Sequence, residues 1–204
     1  MTNPFDGIPG ADLAYFREQS ERFAASGASP AVPRLAATAI LLRPDGAVLL
    51  MRRPVKMVFG GRWVFPGGSA DPIDAEPGGS ELEIAARAAL REVREETGLV
   101  VAAEQLLPWA RWITPEFEPR RFDTYFFIGL VDAETDAVEV NGETEEHRWL
   151  TATAALAGHA AGQLSMLPPT VVTLRELADL STMDAVRAAA VAKDLSSPIL
   201  PRLP

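Results

Sequence analysis

Short apolar runs separated by turn residues fill the middle of the chain and predict β-strands. Residues 35–43 and 47–53 are apolar on either side of a Pro-Asp-Gly turn, a pattern typical of a β-hairpin. Residues 62–68 form a shorter apolar run that ends in Gly-Gly. Further strands are predicted at residues 99–108, 121–131 and 146–151. These strands form the central part of the expected fold.

Helical spacing of apolar side chains predicts helices on both sides of these strands and one helix between them. The predicted helices span residues 11–26, 80–97, 152–157, 170–180 and 184–192. The proline-rich tail after residue 195 is expected to be extended or frayed. We therefore expect one α/β (α+β) domain in three parts: an N-terminal helical extension at 1–34, a core at 35–151, and a C-terminal helical part at 152–204.

Composition narrows the classes of function. The 204 residues carry a formal net charge of −9 and show no Lys/Arg cluster, which argues against a general nucleic-acid binder. There are no cysteines and only two histidines, so disulfides, zinc thiolates and multi-histidine metal sites are excluded. No apolar run approaches the length of a membrane span, and the first residues lack the pattern of a secretory signal. A cytoplasmic location is the expectation.

The predicted helix at 80–97 carries a cluster of acidic side chains. At 100° per residue, Glu92, Glu95 and Glu96 fall within an arc of about 100° on one face. Such carboxylates repel one another, and their clustering suits a hard divalent cation such as Mg²⁺ or Mn²⁺. The alternative is a solvated acidic helix end. Arg91 lies four residues before Glu95 and can pair with it, and Gly98 is placed to end the helix.

The nine residues 91–99, REVREETGL, match the core of the Nudix box, R-E-U-x-E-E-x-G-U, in which U is aliphatic. Glu83 stands where the family pattern has a further glutamate, and Pro77 stands where it has a glycine. Over roughly residues 35–175 the chain resembles Nudix hydrolases. The resemblance implies the Nudix fold, a mixed β-sheet sandwiched between helices.

The same resemblance implies an enzyme that hydrolyses a diphosphate linking a nucleoside to another group. It implies that Glu92, Glu95 and Glu96 bind Mg²⁺ or Mn²⁺ and that Arg91 orients Glu95. A carboxylate would accept the proton of the attacking water. The candidates are a glutamate of the box, here Glu95, or one of Glu143, Glu145 and Glu146 in the later acidic loop, which could also be an ordinary acidic turn.

Two Gly-Gly pairs flank an acidic, proline-containing stretch before this helix. Gly67-Gly68 follows a predicted strand and occupies the place of the family's glycine loop, so we assign it to the substrate site. The second pair, at 78–79, precedes Ser80-x-x-Glu83, which has the form of a capping box. The loop then contains an insertion of about nine residues relative to the family. Glu83 is expected to cap the helix, because it lies about 180° around from Glu92, with metal binding as the alternative.

Three stretches resemble the branch of Nudix enzymes that cleaves coenzyme A, typified by the peroxisomal enzymes and their bacterial relatives. They are FPGGSADPID at 65–74, WITPEFEPRRFDTYFF at 112–127 and LSMLPPT at 164–170. This resemblance favours coenzyme A or acyl-coenzyme A as the substrate, with 3′,5′-ADP and (acyl-)phosphopantetheine as products. One alternative is a pyrophosphatase for ADP-ribose, NADH or a dinucleoside polyphosphate. Another is a Nudix-fold nucleotide sensor without turnover.

Several other side chains are candidates for binding a small-molecule nucleotide. Arg52, Arg53 and Arg62 could bind phosphate groups or simply lie solvated at strand ends. Trp112 could stack on an adenine or pack in the core, and the same holds for Phe117. The C-terminal helices could shape a pantetheine or acyl channel or form a homodimer interface.

Overall fold

The computed structural model describes residues 10–56, 60–137 and 146–201. The helices are α1 (Gly10–Ser26), α2 (Glu81–Thr97), α3 (Ala152–Ala160), α4 (Pro168–Ala178) and α5 (Met183–Val191). The strands are β1 (Arg34–Leu42), β2 (Ala47–Arg52), β3 (Trp63–Val64), β4 (Gly67–Ser69), β5 (Leu106–Ile113), β6 (Phe122–Leu130) and β7 (Glu146–Thr151). Short 3₁₀ turns lie at Pro72–Asp74 and Ala103–Gln105.

The described strands form one mixed sheet centred on β1. β1 pairs with β6 in parallel along its whole length, from Arg34 opposite Phe122 to Leu42 opposite Leu130. On its other edge β1 pairs antiparallel with β2 near one end and with β4 at residues 36–38. β2 also pairs antiparallel with β3 and β7, and β5 pairs antiparallel with β6. β4 is therefore placed beside the middle of the sheet by direct pairing with β1.

Helices cover both faces of the sheet. One core cluster joins the face carrying Ala37, Ala39 and Leu41 of β1 to the apolar side of α2. The other joins Ile40 and Leu42 of the same strand to side chains of α3, α4 and α5. Alternate residues of a strand point to opposite faces, so one apolar strand supplies both cores. The predicted α+β class and the sandwiched mixed sheet are confirmed.

Most predicted elements are confirmed with small shifts of their ends, but two are wrong in detail. The run at 99–108 is a strand only from Leu106, because Val101 packs in the core beneath α2 as a loop residue and a 3₁₀ turn follows it. The run at 62–68 contains two short strands rather than one. The C-terminal tail is extended: the N–H of Ile199 donates to the carbonyl of Arg111 at 2.7 Å. In the described residues, no helix is long and apolar enough to cross a membrane.

Candidate active site

α2 begins and ends where its sequence predicts. Ser80 is the N-cap residue; its N–H donates to Glu83 Oε2 at 2.7 Å, and the N–H of Glu83 donates to Ser80 Oγ at 3.3 Å. Gly98 closes the helix in the left-handed conformation, with φ of 70°. The predicted capping box is confirmed. Its contacts also lower the pKa of Glu83, chiefly through the backbone N–H of Ser80, which stabilises the ionised carboxylate.

Arg91 is the centre of the polar network on α2. Its Nη1 donates to Glu92 Oε1 at 3.0 Å and to Glu95 Oε2 at 2.9 Å. Its Nε and Nη2 donate to the two carboxylate oxygens of Asp74 at 3.1 and 2.9 Å, and Nη2 also donates to the carbonyl of Ser69 at 3.0 Å. A guanidinium has five N–H donors, and these contacts engage all five. The predicted pairing of Arg91 with Glu95 is confirmed within a larger network.

Asp74 is the strongest single electrostatic influence on Arg91. Its hydrogen bond is the largest cause that raises the pKa of the Arg91 guanidinium, while burial opposes the rise and Glu92 adds to it. Asp74 is 4% exposed and lies in the 3₁₀ turn of the inserted loop. Arg91 therefore remains a cation across the working pH range and holds its carboxylate neighbours in place.

Glu96 and Glu92 also lie against β4. The N–H of Gly67 donates to Glu96 Oε2 at 2.8 Å, and Glu96 is 2% exposed. A Cβ on Gly68 would lie 2.3 Å from Glu92 Oε1. A Cβ on Gly67 would lie 2.4 Å from the carbonyl oxygen of Ala37 on β1. Both glycines are thus required for close approach, Gly67 to the sheet and Gly68 to a carboxylate.

The donor set fits a hard divalent cation, with one restriction. Carboxylate oxygens are the ligands that Mg²⁺ and Mn²⁺ prefer, and Glu92, Glu95 and Glu96 supply them from one helix face. In this part of the described chain, however, no three acidic or histidine side chains converge on a single point. Mg²⁺ commonly uses one or two carboxylates and completes its shell with water and substrate phosphates. The arrangement fits that kind of open site rather than a closed protein cage.

A cavity of about 360 Å³ adjoins the carboxylate cluster. β4 forms one of its walls through Gly67, Gly68 and Ser69, the same strand that contacts Glu92 and Glu96. The remaining wall is mostly apolar and comes from β1, β3, β5, β6, the loop after β5 and the start of α4. Phe16 of α1 and Pro201 of the tail also line it. The cavity and the carboxylates therefore lie on the two sides of one short strand.

The sequence and fold match a known family over most of the chain. The model of the NUDIX domain matches residues 32–168, which is more than half of the protein. The chain belongs to the NUDIX family. Members of this family generally need a divalent metal ion.

Individual relatives agree with this assignment. Nudix hydrolase 7 of Caenorhabditis elegans is 29% identical over 188 residues, covering 74% of this chain and 62% of that protein. An acyl-coenzyme A diphosphatase of Xenopus laevis is 29% identical over 94 residues, covering 44% of this chain and 25% of that protein. The crystal structure of a NUDIX hydrolase from Alicyclobacillus acidocaldarius superposes with a TM-score of 0.70 at 25% identity, covering 77% of this chain and 96% of that one. The chain thus spans less than two thirds of the length of both curated relatives.

The structure distinguishes among the predicted nucleotide-binding arginines of this NUDIX domain. Arg53 lines the cavity, whereas Arg52 and Arg62 are not among its lining residues. Arg62 Nη1 donates to Ser165 Oγ at 2.5 Å, and Arg52 lies at the exposed end of β2. Phosphate binding by Arg52 and Arg62 stays a prediction without support from the position of the cavity.

For Trp112 the sequence allowed either adenine stacking or core packing, and for the acidic loop either a proton acceptor or an ordinary turn. Trp112 is 3% exposed and belongs to the core cluster beneath α3–α5, which supports core packing over adenine stacking even though it reaches the cavity wall. Glu143 and Glu145 lie outside the described residues. Glu146 begins β7, where its Oε1 accepts a hydrogen bond from Arg148 Nε at 2.7 Å.

Two acidic residues of the site were not assigned a role from sequence. Asp74 belongs to the stretch FPGGSADPID. The signal available in the sequence was the spacing Asp-Pro-x-Asp at residues 71–74, which forms a 3₁₀ turn with Asp74 buried. Glu118 lines the cavity, and burial raises the pKa of its carboxyl. Nothing local in the sequence separates Glu118 from its neighbour Glu116, because the burial arises from the fold of the loop.

Proposed function

We propose that this NUDIX protein hydrolyses the diphosphate bond of a nucleoside diphosphate joined to another group, with coenzyme A or acyl-coenzyme A as the preferred substrate. The observation that carries the proposal is the fully engaged Arg91 guanidinium, which arranges Glu92 and Glu95 beside Glu96 and β4. A carboxylate cluster held in this way is suited to bind hard cations together with a diphosphate.

Glu92, Glu95 and Glu96 would hold Mg²⁺ or Mn²⁺. Such an ion, when bound, neutralises charge on the diphosphate and lowers the pKa of a bound water. The protein's own contribution is placement: Arg91 holds one oxygen of Glu92 and one of Glu95, and the N–H of Gly67 holds one of Glu96. Glu95 is the candidate proton acceptor, since its side chain is about half exposed and can meet a water.

The cavity favours the pantetheine or acyl end of the substrate over the 3′-phosphorylated nucleoside. In the part of the chain that the structure describes, its lining is mostly apolar and includes one cation, Arg53, and one acid, Glu118. A phosphate dianion would meet little compensating charge there, whereas an alkyl chain would exchange water for apolar wall. The partial similarity to an acyl-coenzyme A diphosphatase agrees with this choice of substrate.

The test is a hydrolysis panel with Mg²⁺ and Mn²⁺ in which products are identified by mass. The panel contains coenzyme A, acyl-coenzyme A, dephospho-coenzyme A, ADP-ribose, NADH and diadenosine polyphosphates. Preferred release of 3′,5′-ADP supports the proposal. AMP from ADP-ribose or NADH would keep the diphosphatase chemistry and replace the substrate. Tight nucleotide binding with no turnover of any compound would instead support a sensor.

Glu95→Gln tests the role of the carboxylates. The change removes a charge but little volume, so the protein should fold while kcat falls by at least about 100-fold. Glu104→Gln, on an exposed turn, is the matched control and should keep wild-type activity. A Glu95→Gln protein with the wild-type rate would remove this residue from the site.

A further inference from the structure

Arg87 of α2 makes polar contacts that hold the inserted loop between the two Gly-Gly pairs against the helix. Arg87 Nε donates to the backbone carbonyl of Asp74 at 2.5 Å, and Arg87 Nη1 lies 3.4 Å from Glu76 Oε2. Asp74 itself is 4% exposed, although an aspartate in a surface loop is normally solvated. Burying a carboxylate lowers the stability of the fold unless hydrogen-bond donors occupy its oxygens. The donors that contact Asp74 therefore indicate its role.

Among the described residues, the Asp74 carboxylate accepts hydrogen bonds only from N–H donors. Oδ1 accepts from Arg91 Nε at 3.1 Å, and Oδ2 accepts from Arg91 Nη2 at 2.9 Å and from the N–H of Asp71 at 2.8 Å. The two contacts with Arg91 form a bidentate fork, which fixes the plane of the guanidinium as well as its position. The opposite edge of that plane then points Nη1 at Glu92 and Glu95.

Glu83, which stands at the position of the further glutamate in the family pattern, does not contact Arg91. In the described structure its Oε2 accepts from the N–H and the hydroxyl of Ser80, and none of the Arg91 contacts involves Glu83. The buried acid that holds Arg91 therefore comes from the inserted loop and not from the helix.

We propose that Asp74 is a positioning residue for the metal-binding carboxylates: it orients Arg91, which in turn orients Glu92 and Glu95. This inference rests on the proposed function of the same site. The inserted loop thereby has a role. It supplies Asp74, an acid from outside α2 that keeps the carboxylates of α2 in their positions. Removing the fork would let the guanidinium rotate and would misplace both glutamates.

The test is direct titration of Mn²⁺ without substrate, following the electron paramagnetic resonance signal of the free ion. In Asp74→Asn the amide would place an NH₂ group against an N–H donor at one of the two oxygen positions, so the fork is lost. We expect Mn²⁺ affinity to fall by about 10- to 100-fold, the usual effect of losing a residue that orients a metal ligand. Activity should recover in part at high Mn²⁺, raising the metal requirement more than it lowers kcat.

Asp71→Asn is the matched control. Asp71 lies on the same loop and is mostly exposed, and its Oδ2 is 3.9 Å from Arg91 Nη2, too far for a hydrogen bond. The Mn²⁺ affinity of the Asp71→Asn protein should stay near the wild-type value. Arg87→Met is the second control, because it loosens the loop from α2 without removing any contact of Arg91. At a comparable loss of thermal stability, it should weaken Mn²⁺ binding less than Asp74→Asn does.

The outcomes separate this inference from the proposed function. If Asp74→Asn binds Mn²⁺ like the wild type, or if Asp71→Asn or Arg87→Met weakens binding equally, the positioning role is overturned. A wild-type protein that binds no Mn²⁺ would overturn the proposed function, and this inference with it. Should Asp74→Asn fail to fold, Asp74→Ser carries the same test, because it removes the carboxylate and leaves space for a water.

Discussion

A Cβ on Gly68 would lie 2.3 Å from Oε1 of Glu92, so the first Gly-Gly pair directly borders the carboxylate cluster. The second pair has a different role. Gly78 adopts φ of 80°, has open space around it and precedes the cap of α2. One pair serves close approach in the site, and the other serves the backbone geometry at the helix entry.

This contrast predicts opposite effects for two alanine substitutions. Gly68→Ala should displace the Glu92 carboxylate and lower kcat/KM on the order of 100-fold, because a misplacement of about 1 Å can have that effect. Since the displaced atoms end a flexible side chain, the free energy of unfolding should change little. Gly78→Ala should lose about 1 kcal/mol of stability from left-handed strain and keep its activity. Paired kinetics and urea unfolding measure both, and equal activity losses in the two variants would contradict the assignment.

The capping box gives a second prediction. Ser80→Ala should lower the free energy of unfolding by about 1 kcal/mol, because one orphan N–H of α2 loses its acceptor. Glu83→Gln should bind Mn²⁺ like the wild type, since glutamine also serves in a capping box. If Glu83 were a metal ligand, affinity would instead fall steeply. Urea unfolding and Mn²⁺ titration separate the two roles.

Glu118 predicts a pH dependence of stability. Burial raises the pKa of its carboxyl above the ordinary value of 4.5, so the folded state favours the protonated form. Its stabilising contribution is present below the ordinary pKa and is lost as pH rises through the raised one. Glu118→Gln stays neutral, so its thermal midpoint should exceed that of the wild type at pH 7 and match it near pH 4. A midpoint difference of the same size at both pH values would contradict this linkage.

Phe16 predicts a dependence on acyl-chain length. It lies on α1, lines the cavity and packs against Phe117 with ring centroids 6.1 Å apart. If acyl chains enter this cavity, Phe16→Ala should raise KM for long-chain acyl-coenzyme A about fivefold, equivalent to roughly 1 kcal/mol of lost apolar contact. KM for free coenzyme A should change little. Phe23→Ala, on the same helix and away from the cavity lining, is the control; equal effects of both variants on KM would count against the cavity as the acyl site.

Much of the fold could be predicted because its signals are local. The ends of β1, β6, β7 and α2 follow from apolar runs, turn residues and caps within a few positions of each end. The strand predicted at 99–108 was misplaced because an apolar run such as Leu99–Val101 can also form a loop, in which Val101 packs beneath α2 while Val100 is 83% exposed. Periodicity over so few residues does not separate the two.

The candidate site divides in the same way. Arg91 and Glu95 are four residues apart on one helix, so their contact could be predicted from helical geometry. Which of the adjacent arginines at 52 and 53 reaches the cavity could not be, because that depends on how β2 ends against β3. The burial of Trp112 likewise depends on helices that lie 40 or more positions later in the chain.

The sequence by itself determined the acidic face of α2, its N-terminal capping box and its C-terminal glycine. It also placed the chain in a family of metal-dependent hydrolases. These features lie within one or two turns of a helix, where spacing along the chain is spacing in space. Only the tertiary structure decided that Asp74 holds Arg91, that Gly68 faces Glu92 and that Phe16 lines a cavity. Those relationships join residues 17 or more positions apart, and their distances are set by the path of a loop and the pairing of β4 with β1.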